Sequence, residues 1–164
     1  MKFDPSIVQA RYESPLGPMI VAATDKGIAG IWFKGQRHMP DPTGWPLAPA
    51  HPMLQQAIAQ LADYFAGKRR GFDLPLDLQG GTTFQQSVWR ALLAIPRGGT
   101  TSYGSLSEAI GKPAAVRAVG AAVGRNPVSV VVPCHRVLGA DGSLTGYAGG
   151  LERKSALLRL EGAA

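Results

Sequence analysis

Across Gly80-Gly81 the hydrophobic pattern of this chain changes character, from mostly strand-like to mostly helical. That change limits the chain to two kinds of structure in series. In residues 7–34, Ile7, Val8, Tyr12, Met19, Ile20, Val21, Ile28, Ile31, Trp32 and Phe33 fall in short runs. Ser14-Pro15-Leu16-Gly17 and Asp25-Lys26-Gly27 separate those runs, so a small antiparallel meander with turns at the Pro and Gly clusters is expected. Residues 35–51 read as a loop. Leu54, Ile58, Leu61 and Phe65 then recur at helical steps and predict one amphipathic helix, stopped by Gly67. Phe72 to Leu78 alternates like an edge strand, because Pro75 would interrupt a central one.

Past the glycine pair, helices dominate. Thr83 is placed to cap a helix along Phe84, Val88, Trp89 and Leu92, which ends at Ile95-Pro96. Ser102 caps a short helix carrying Tyr103, Leu106 and Ile110. Gly111-Lys-Pro113 makes a turn, with Pro113 suited to the first position of the next helix. Val116, Val119 and Val123 form the expected buried seam of that helix, and two short helices joined in this way predict a helix-turn-helix. Arg117, Gly120, Ala121 and Gly124 share the opposite face, where small residues let the backbone approach another surface closely. Val128–Val132 reads as a buried strand leading to Pro133-Cys-His-Arg-Val137, and a final helix spans about Leu151 to Leu160. The fold class is therefore α+β, with an N-terminal unit over residues 1–80 and a mainly helical C-terminal unit over 81–164.

Charge follows the same division. Residues 1–80 carry eight Lys/Arg against seven Asp/Glu, and residues 81–164 carry nine against four. An excess of five positive charges in the second half points to an anionic partner for that half. No apolar run reaches the roughly 18–20 residues of a membrane helix, and the N-terminus lacks the shape of a signal peptide, so the chain is read as cytoplasmic. The one cysteine, Cys134, excludes an intramolecular disulfide and a cysteine-rich zinc site. With only His38, His51 and His135 beside it, no metal site is expected.

A cysteine next to a histidine is one pattern of an activated nucleophile. A free thiol has a pKa of about 8.5 and needs help at neutral pH. Adjacent side chains of an extended segment point to opposite faces, so Cys134 and His135 cooperate only if the chain turns there or a water bridges them. Glu161, four residues beyond Leu157 on the inward stripe of the last helix, is the candidate to orient the imidazole. An inert core cysteine fits the bare dipeptide as well.

The wider pattern resembles the O6-alkylguanine-DNA alkyltransferases. The resemblance rests on Pro133-Cys-His-Arg-Val137, Gly81-Thr-Thr-Phe-Gln85, Val88-Trp89, Ile95-Pro96 and Ser102-Tyr-Gly104. It continues through Arg117-Ala-Val-Gly120, Asn126-Pro127, Gly146-Tyr147, Gly149-Gly150, Lys154 and Glu161-Gly162. These stand in order over the whole C-terminal half, while the N-terminal half agrees in size and layout with the family's ribonuclease-H-like domain.

The resemblance implies a direct-reversal DNA repair protein that takes an alkyl group from O6 of guanine in duplex DNA, with O4 of thymine as a second candidate position. By that analogy Cys134 accepts the alkyl group once, His135 removes the thiol proton through a water, and Glu161 holds the imidazole. Tyr103 donates to guanine N3, Tyr147 lines the pocket, and Asn126 fixes the turn beside the active-site strand. The backbone carbonyls of Cys134 and Val137 accept from the exocyclic amine of the base. The target nucleotide must leave the stack. Arg117 then fills the gap, and the face of Gly120, Ala121 and Gly124 lies along the minor groove. Ala148 stands where the family often has Ser, so its backbone N–H alone would reach O6. Arg136 reads as structural, pairing with a carboxylate or with carbonyls, and Lys154 as a contact to the loop. The resemblance implies no cofactor, no protein partner and a monomer. The competing readings are a non-enzymatic helix-turn-helix DNA-binding or damage-signalling protein, and a Cys-His hydrolase.

Overall fold

The computed structural model describes residues 1–163. It is an α+β structure that divides into two compact units, one comprising Met1–Gly80 with Pro127–Ser129, the other Gly81–Asn126 with the chain from Val130 onward.

In the first unit, β1 (Val8–Ser14), β2 (Gly17–Thr24) and β3 (Gly27–Phe33) form an antiparallel meander in the order β1-β2-β3. Register runs from Ser14 opposite Gly17 to Val8 opposite Ala23, and β2–β3 slips at Ala22/Ala23. The second hairpin ends on Gly27 at φ 148°, where a Cβ would come within 2.6 Å of the Pro75 carbonyl oxygen. Only glycine fits both that backbone and that approach.

β3 is buried at every residue, and its outer edge is covered. Ile28 N–H donates to Pro75 O and Asp77 N–H to Ile28 O, both at 2.8 Å. Farther along, Ile31 N–H donates to Pro127 O at 2.8 Å, and Ile31 O accepts from Ser129 N–H at 2.9 Å. Leu47 bridges β1 at Gln9, so the other edge is partly covered too. Covered edges deny a three-stranded sheet the open ladder on which other chains could pair. The 72–78 segment thus makes one parallel bridge at Leu76 rather than the expected edge strand.

Helix α1 (Pro52–Phe65) lies on the sheet. His51 Nδ1 caps it by accepting from Met53 N–H, Pro52 starts it, and Gly67 at φ 75° ends it. Its buried seam is Leu54, Ala57, Gln60, Leu61 and Tyr64, turned from the expected stripe so that Ile58 and Phe65 are only half-buried. Gln60 shifts the seam: its amide clamps the backbone of Asp73 with two 2.9 Å bonds.

In the second unit, α2 (Thr83–Leu92) opens on a capping box in which Thr82, not Thr83, is the N-cap and Gln85 reciprocates. Trp89 is buried and donates from Nε1 to Ala122 O at 2.8 Å, tying α2 to the helix that contains Ala122. Strand β4 (Thr101–Ser102) leads into α3 (Tyr103–Ala109), capped by Ser102 as expected. Helix α4 (Val116–Gly124) begins after Ala115, so Pro113 lies in the preceding turn rather than at its first position. Val119, Ala122 and Val123 are buried, but Val116 is 38% exposed and leaves the expected seam. Residues 134–136 form a single 3-10 turn, followed by β5 (Val137–Leu138), which pairs in parallel with β4. Helix α5 (Leu151–Leu160) packs against the 3-10 turn.

The expected strand at Val128–Val132 is not formed, although every residue in it is buried. Val130 sits at φ 73°, a conformation that costs a β-branched residue of the order of 1–3 kcal/mol. The Val132 carbonyl accepts from the Asn126 side chain at 2.7 Å and from Cys134 N–H at 2.8 Å, so local turns satisfy a group that a sheet ladder would otherwise satisfy.

Candidate active site

Cys134 begins the 3-10 turn, and the chain bends at the point that cooperation with His135 requires. The thiol is buried, 7% exposed, in reach of hydrogen bonds from Asn126 and Tyr147 and of the Lys154 charge. Burial pushes the thiol pKa up, and those three neighbours oppose it. The resting cysteine is therefore a thiol, and a base is needed to make the nucleophile.

His135 is fully buried. Its Nε2 lies 2.8 Å from Glu161 Oε2. Its Nδ1, equally buried, meets no donor or acceptor among the described residues. Burial holds the imidazole pKa down, Glu161 pulls it up, and the charges of Arg136 and Lys154 add to the lowering. Glu161 caps the C-terminal end of α5, where its backbone N–H donates to Leu157 O. Arg136 grips both carboxylate oxygens, Nε to Oε1 at 2.8 Å and Nη2 to Oε2 at 2.9 Å. Its third nitrogen donates to Ile95 O at 2.6 Å, past the end of α2.

Lys154 on α5 has no exposed surface. Its ammonium donates to Val137 O at 2.6 Å, Thr145 O at 2.8 Å and Gly146 O at 3.2 Å. It binds the glycine-rich loop to β5. Burial lowers its pKa from 10.5 to about 8, with Cys134 acting in the opposite direction.

Tyr103, half-buried on the first turn of α3, donates from its hydroxyl to Thr145 O at 3.3 Å. Burial raises its pKa, and the nearby Cys134 adds to the rise. A Cβ on Gly120 would stand 3.7 Å from the Tyr103 ring, so this glycine of α4 faces the tyrosine rather than open solvent alone. Ala148 is half-buried in the loop beside Tyr147. Val137 is buried, and its carbonyl already holds Lys154. The Cys134 carbonyl accepts from Val137 N–H. Each carbonyl oxygen keeps a second lone pair for another donor. Arg117 and Ala121 are exposed on α4, with Gly124 half-buried on the same face. Among the described residues no group of three or more His, Cys, Asp or Glu side chains could hold a metal ion.

The chain therefore places an amide, two tyrosines and a buried lysine near its one thiol, and a buried His–Glu–Arg network begins at the next residue. Family models match both parts of it: the ribonuclease-like domain of 6-O-methylguanine DNA methyltransferase over residues 7–78, and the DNA-binding domain over 83–163. The methylated-DNA--protein-cysteine methyltransferase of Mycolicibacterium paratuberculosis is 50% identical over 149 residues, 91% of this chain and 88% of the relative. The chain belongs to the 6-O-methylguanine DNA methyltransferase family.

Solved structures agree. The crystal structure of the Mycobacterium tuberculosis O6-methylguanine methyltransferase superposes with a TM-score of 0.87 at 46% identity, covering 96% of this chain and 93% of that one. The same organism's protein in complex with DNA gives 0.86 at 46% identity, covering 96% and 92%. Within this methyltransferase family member, sequence reasoning expected Arg136 to pair with a carboxylate or carbonyls and Lys154 to contact the loop, and the structure supplies their partners: Glu161 and Ile95 for Arg136, and Val137, Thr145 and Gly146 for Lys154. A signal for both cations was present. Arg136 directly follows the Cys-His pair, and Lys154 falls three residues before Leu157 on the inward side of α5.

Proposed function

We propose that this chain repairs DNA by direct reversal, moving an alkyl group from O6 of guanine in duplex DNA to Sγ of Cys134. The observation that carries the assignment is a lone thiol at the start of a turn whose next residue, the buried His135, faces Glu161 at 2.8 Å. In this reading the thiol proton passes to His135 Nδ1 through a water, and the thiolate attacks the alkyl carbon. The S–C bond forms as the C–O6 bond breaks. Tyr103 gives a proton to N3 of the departing guanine anion and is reprotonated from solvent, while His135 returns the proton it took to solvent through the same water. The net exchange turns thiol and alkylguanine into thioether and guanine. A thioether is chemically stable and the chain has no second cysteine to displace it, so each molecule acts once.

The target nucleotide must leave the duplex, since in-line attack is blocked inside the stack. We read α3 and α4 as a helix-turn-helix laid along the minor groove, and the first unit as a ribonuclease-H-like scaffold. The face of Arg117, Gly120, Ala121 and Gly124, exposed at Arg117 and Ala121 and half-buried at the two glycines, supports this, with only one long side chain among four. Arg117 fills the vacated position. Asn126 fixes the turn at Val132 and Tyr147 lines the base pocket. The carbonyls of Cys134 and Val137 select the exocyclic amine of guanine, and Ala148 N–H meets O6. The chain is read as a monomer that needs no protein partner and no cofactor. It is read as cytoplasmic, and no helix of the described residues is long and apolar enough to cross a membrane.

The test is incubation with an O6-methylguanine duplex oligonucleotide and mass mapping of the protein. One methyl on the Cys134 peptide, and none in Cys134→Ala, is expected. DNA binding by both proteins with no methyl on either would instead favour a damage-binding protein.

A further inference from the structure

Arg136 is not used by any step above, yet it brings a buried charge to within hydrogen-bonding distance of the Glu161 that orients the base. Its guanidinium holds Oε1 and Oε2 of Glu161 at 2.8 and 2.9 Å, while Oε2 also faces His135 Nε2 at 2.8 Å. We propose that Arg136 is a positioning residue of alkyl transfer: by neutralising Glu161 it keeps His135 uncharged, with its proton on Nε2 and a lone pair on Nδ1. The inference rests on the reading of His135 as the base.

Three considerations carry it. A buried carboxylate facing only an imidazole would draw a proton onto the ring, because an unpaired buried charge costs more than a pair. With the fork in place Glu161 already has its cation, and a protonated His135 would add a further positive charge beside Arg136 of its own turn and Lys154 of α5. The neutral thiol of Cys134 offers no compensating anion before reaction. The fork also fixes the tautomer. An ionised carboxylate only accepts, so Nε2 must be the nitrogen that carries hydrogen. That leaves Nδ1, which meets no protein partner among the described residues, as the acceptor. The third contact, Nη1 to Ile95 O at 2.6 Å, holds the guanidinium so that the fork cannot rotate off the carboxylate.

The experiment uses the full chain with 15N-labelled histidine. Ring titration by NMR is compared with the pH profile of methyl transfer from an O6-methylguanine duplex. In wild type the ring is expected neutral and Nε2-protonated from pH 6 to 8 (roughly the range in which a histidine otherwise titrates). Arg136→Met is expected to raise the His135 titration at least about tenfold in proton affinity, and to carry the acid limb of the rate profile upward with it. Arg136→Lys keeps the charge and loses the fork; its titration is expected to stay near wild type while its rate falls. If Arg136→Met does not fold, Arg136→Gln, which keeps donors but no charge, is expected to show the same upward movement. An unmoved titration in the neutral variant, with the rate lowered equally at every pH, would overturn the proposal. A moved titration with an unmoved acid limb would uphold the hold of Arg136 on the ring and overturn His135 as the base.

Discussion

At the residue scale, charge in the site is governed by burial. Lys154 shows this most directly, because its three acceptors are all backbone carbonyls and none is an anion. Lys154→Met should cost about 1–3 kcal/mol at neutral pH, since it leaves those carbonyls without their donor; urea unfolding at pH 7 measures this. Its pH dependence has a definite sign. The folded chain releases the Lys154 proton near pH 8 and the unfolded chain near 10.5, so over that window the unfolded state binds more protons and stability rises with pH. The Cys134 thiol, raised above its ordinary 9.0, works in the opposite direction as pH climbs. The comparison therefore belongs in a Cys134→Ala background. There the stability advantage of the chain with Lys154 over its Lys154→Met variant should grow between about pH 7.5 and 10, a range set by the Lys154 shift. A flat difference would mean that Lys154 does not titrate in that window.

At the element scale, the local stops and starts carry measurable weight. Thr82→Ala removes one side of the α2 capping box and should cost about 1 kcal/mol in thermal or urea unfolding. Val130→Gly should destabilise less than Val128→Gly by roughly 1–2 kcal/mol, because only the former recovers backbone strain at φ 73°. Paired urea titrations of the two variants measure that difference. These elements also show how far the sequence could be read. The meander, α1 and its glycine stop, the Ser102 cap and α5 were legible, because period and punctuation are local signals. The seam of α1 keeps Leu54 and Leu61 but is turned by one position elsewhere, to Ala57, Gln60 and Tyr64, where Gln60 buries itself to bind Asp73, a partner distant in sequence. The run at Val128–Val132 looked like a strand because five buried residues give the same composition whether they pair or turn. A 3-10 turn follows at Cys134, His135 and Arg136, and an alternating pattern could not announce it. The pairing of His135 with Glu161 was expected from their chemistry, whereas the choice of Glu161 as the carboxylate held by Arg136 depends on contact between segments 25 residues apart.

At the scale of the whole molecule, the excess of five positive charges lies beyond residue 80, in the unit that also holds the thiol. Affinity for duplex DNA should fall with salt at a log-log slope of about −0.9 for each phosphate neutralised. A salt-independent affinity would remove the basic half from the interface. Arg117→Ala should slow methyl transfer in a duplex much more than transfer from the free O6-alkylguanine base, because only the duplex must be opened. Equal losses on both substrates would place Arg117 in the chemistry or the fold instead. One resting contact bears on how such a protein searches DNA. The Tyr103 hydroxyl is already engaged by the Thr145 carbonyl, at the long end of hydrogen-bond distances. In the proposed reading, any base that enters would compete with that carbonyl for the Tyr103 hydroxyl. A bond of this kind is worth about 1 kcal/mol net, which sets only a low threshold. In the proposed reading, a base able to take over that hydroxyl would displace the Thr145 carbonyl at little cost.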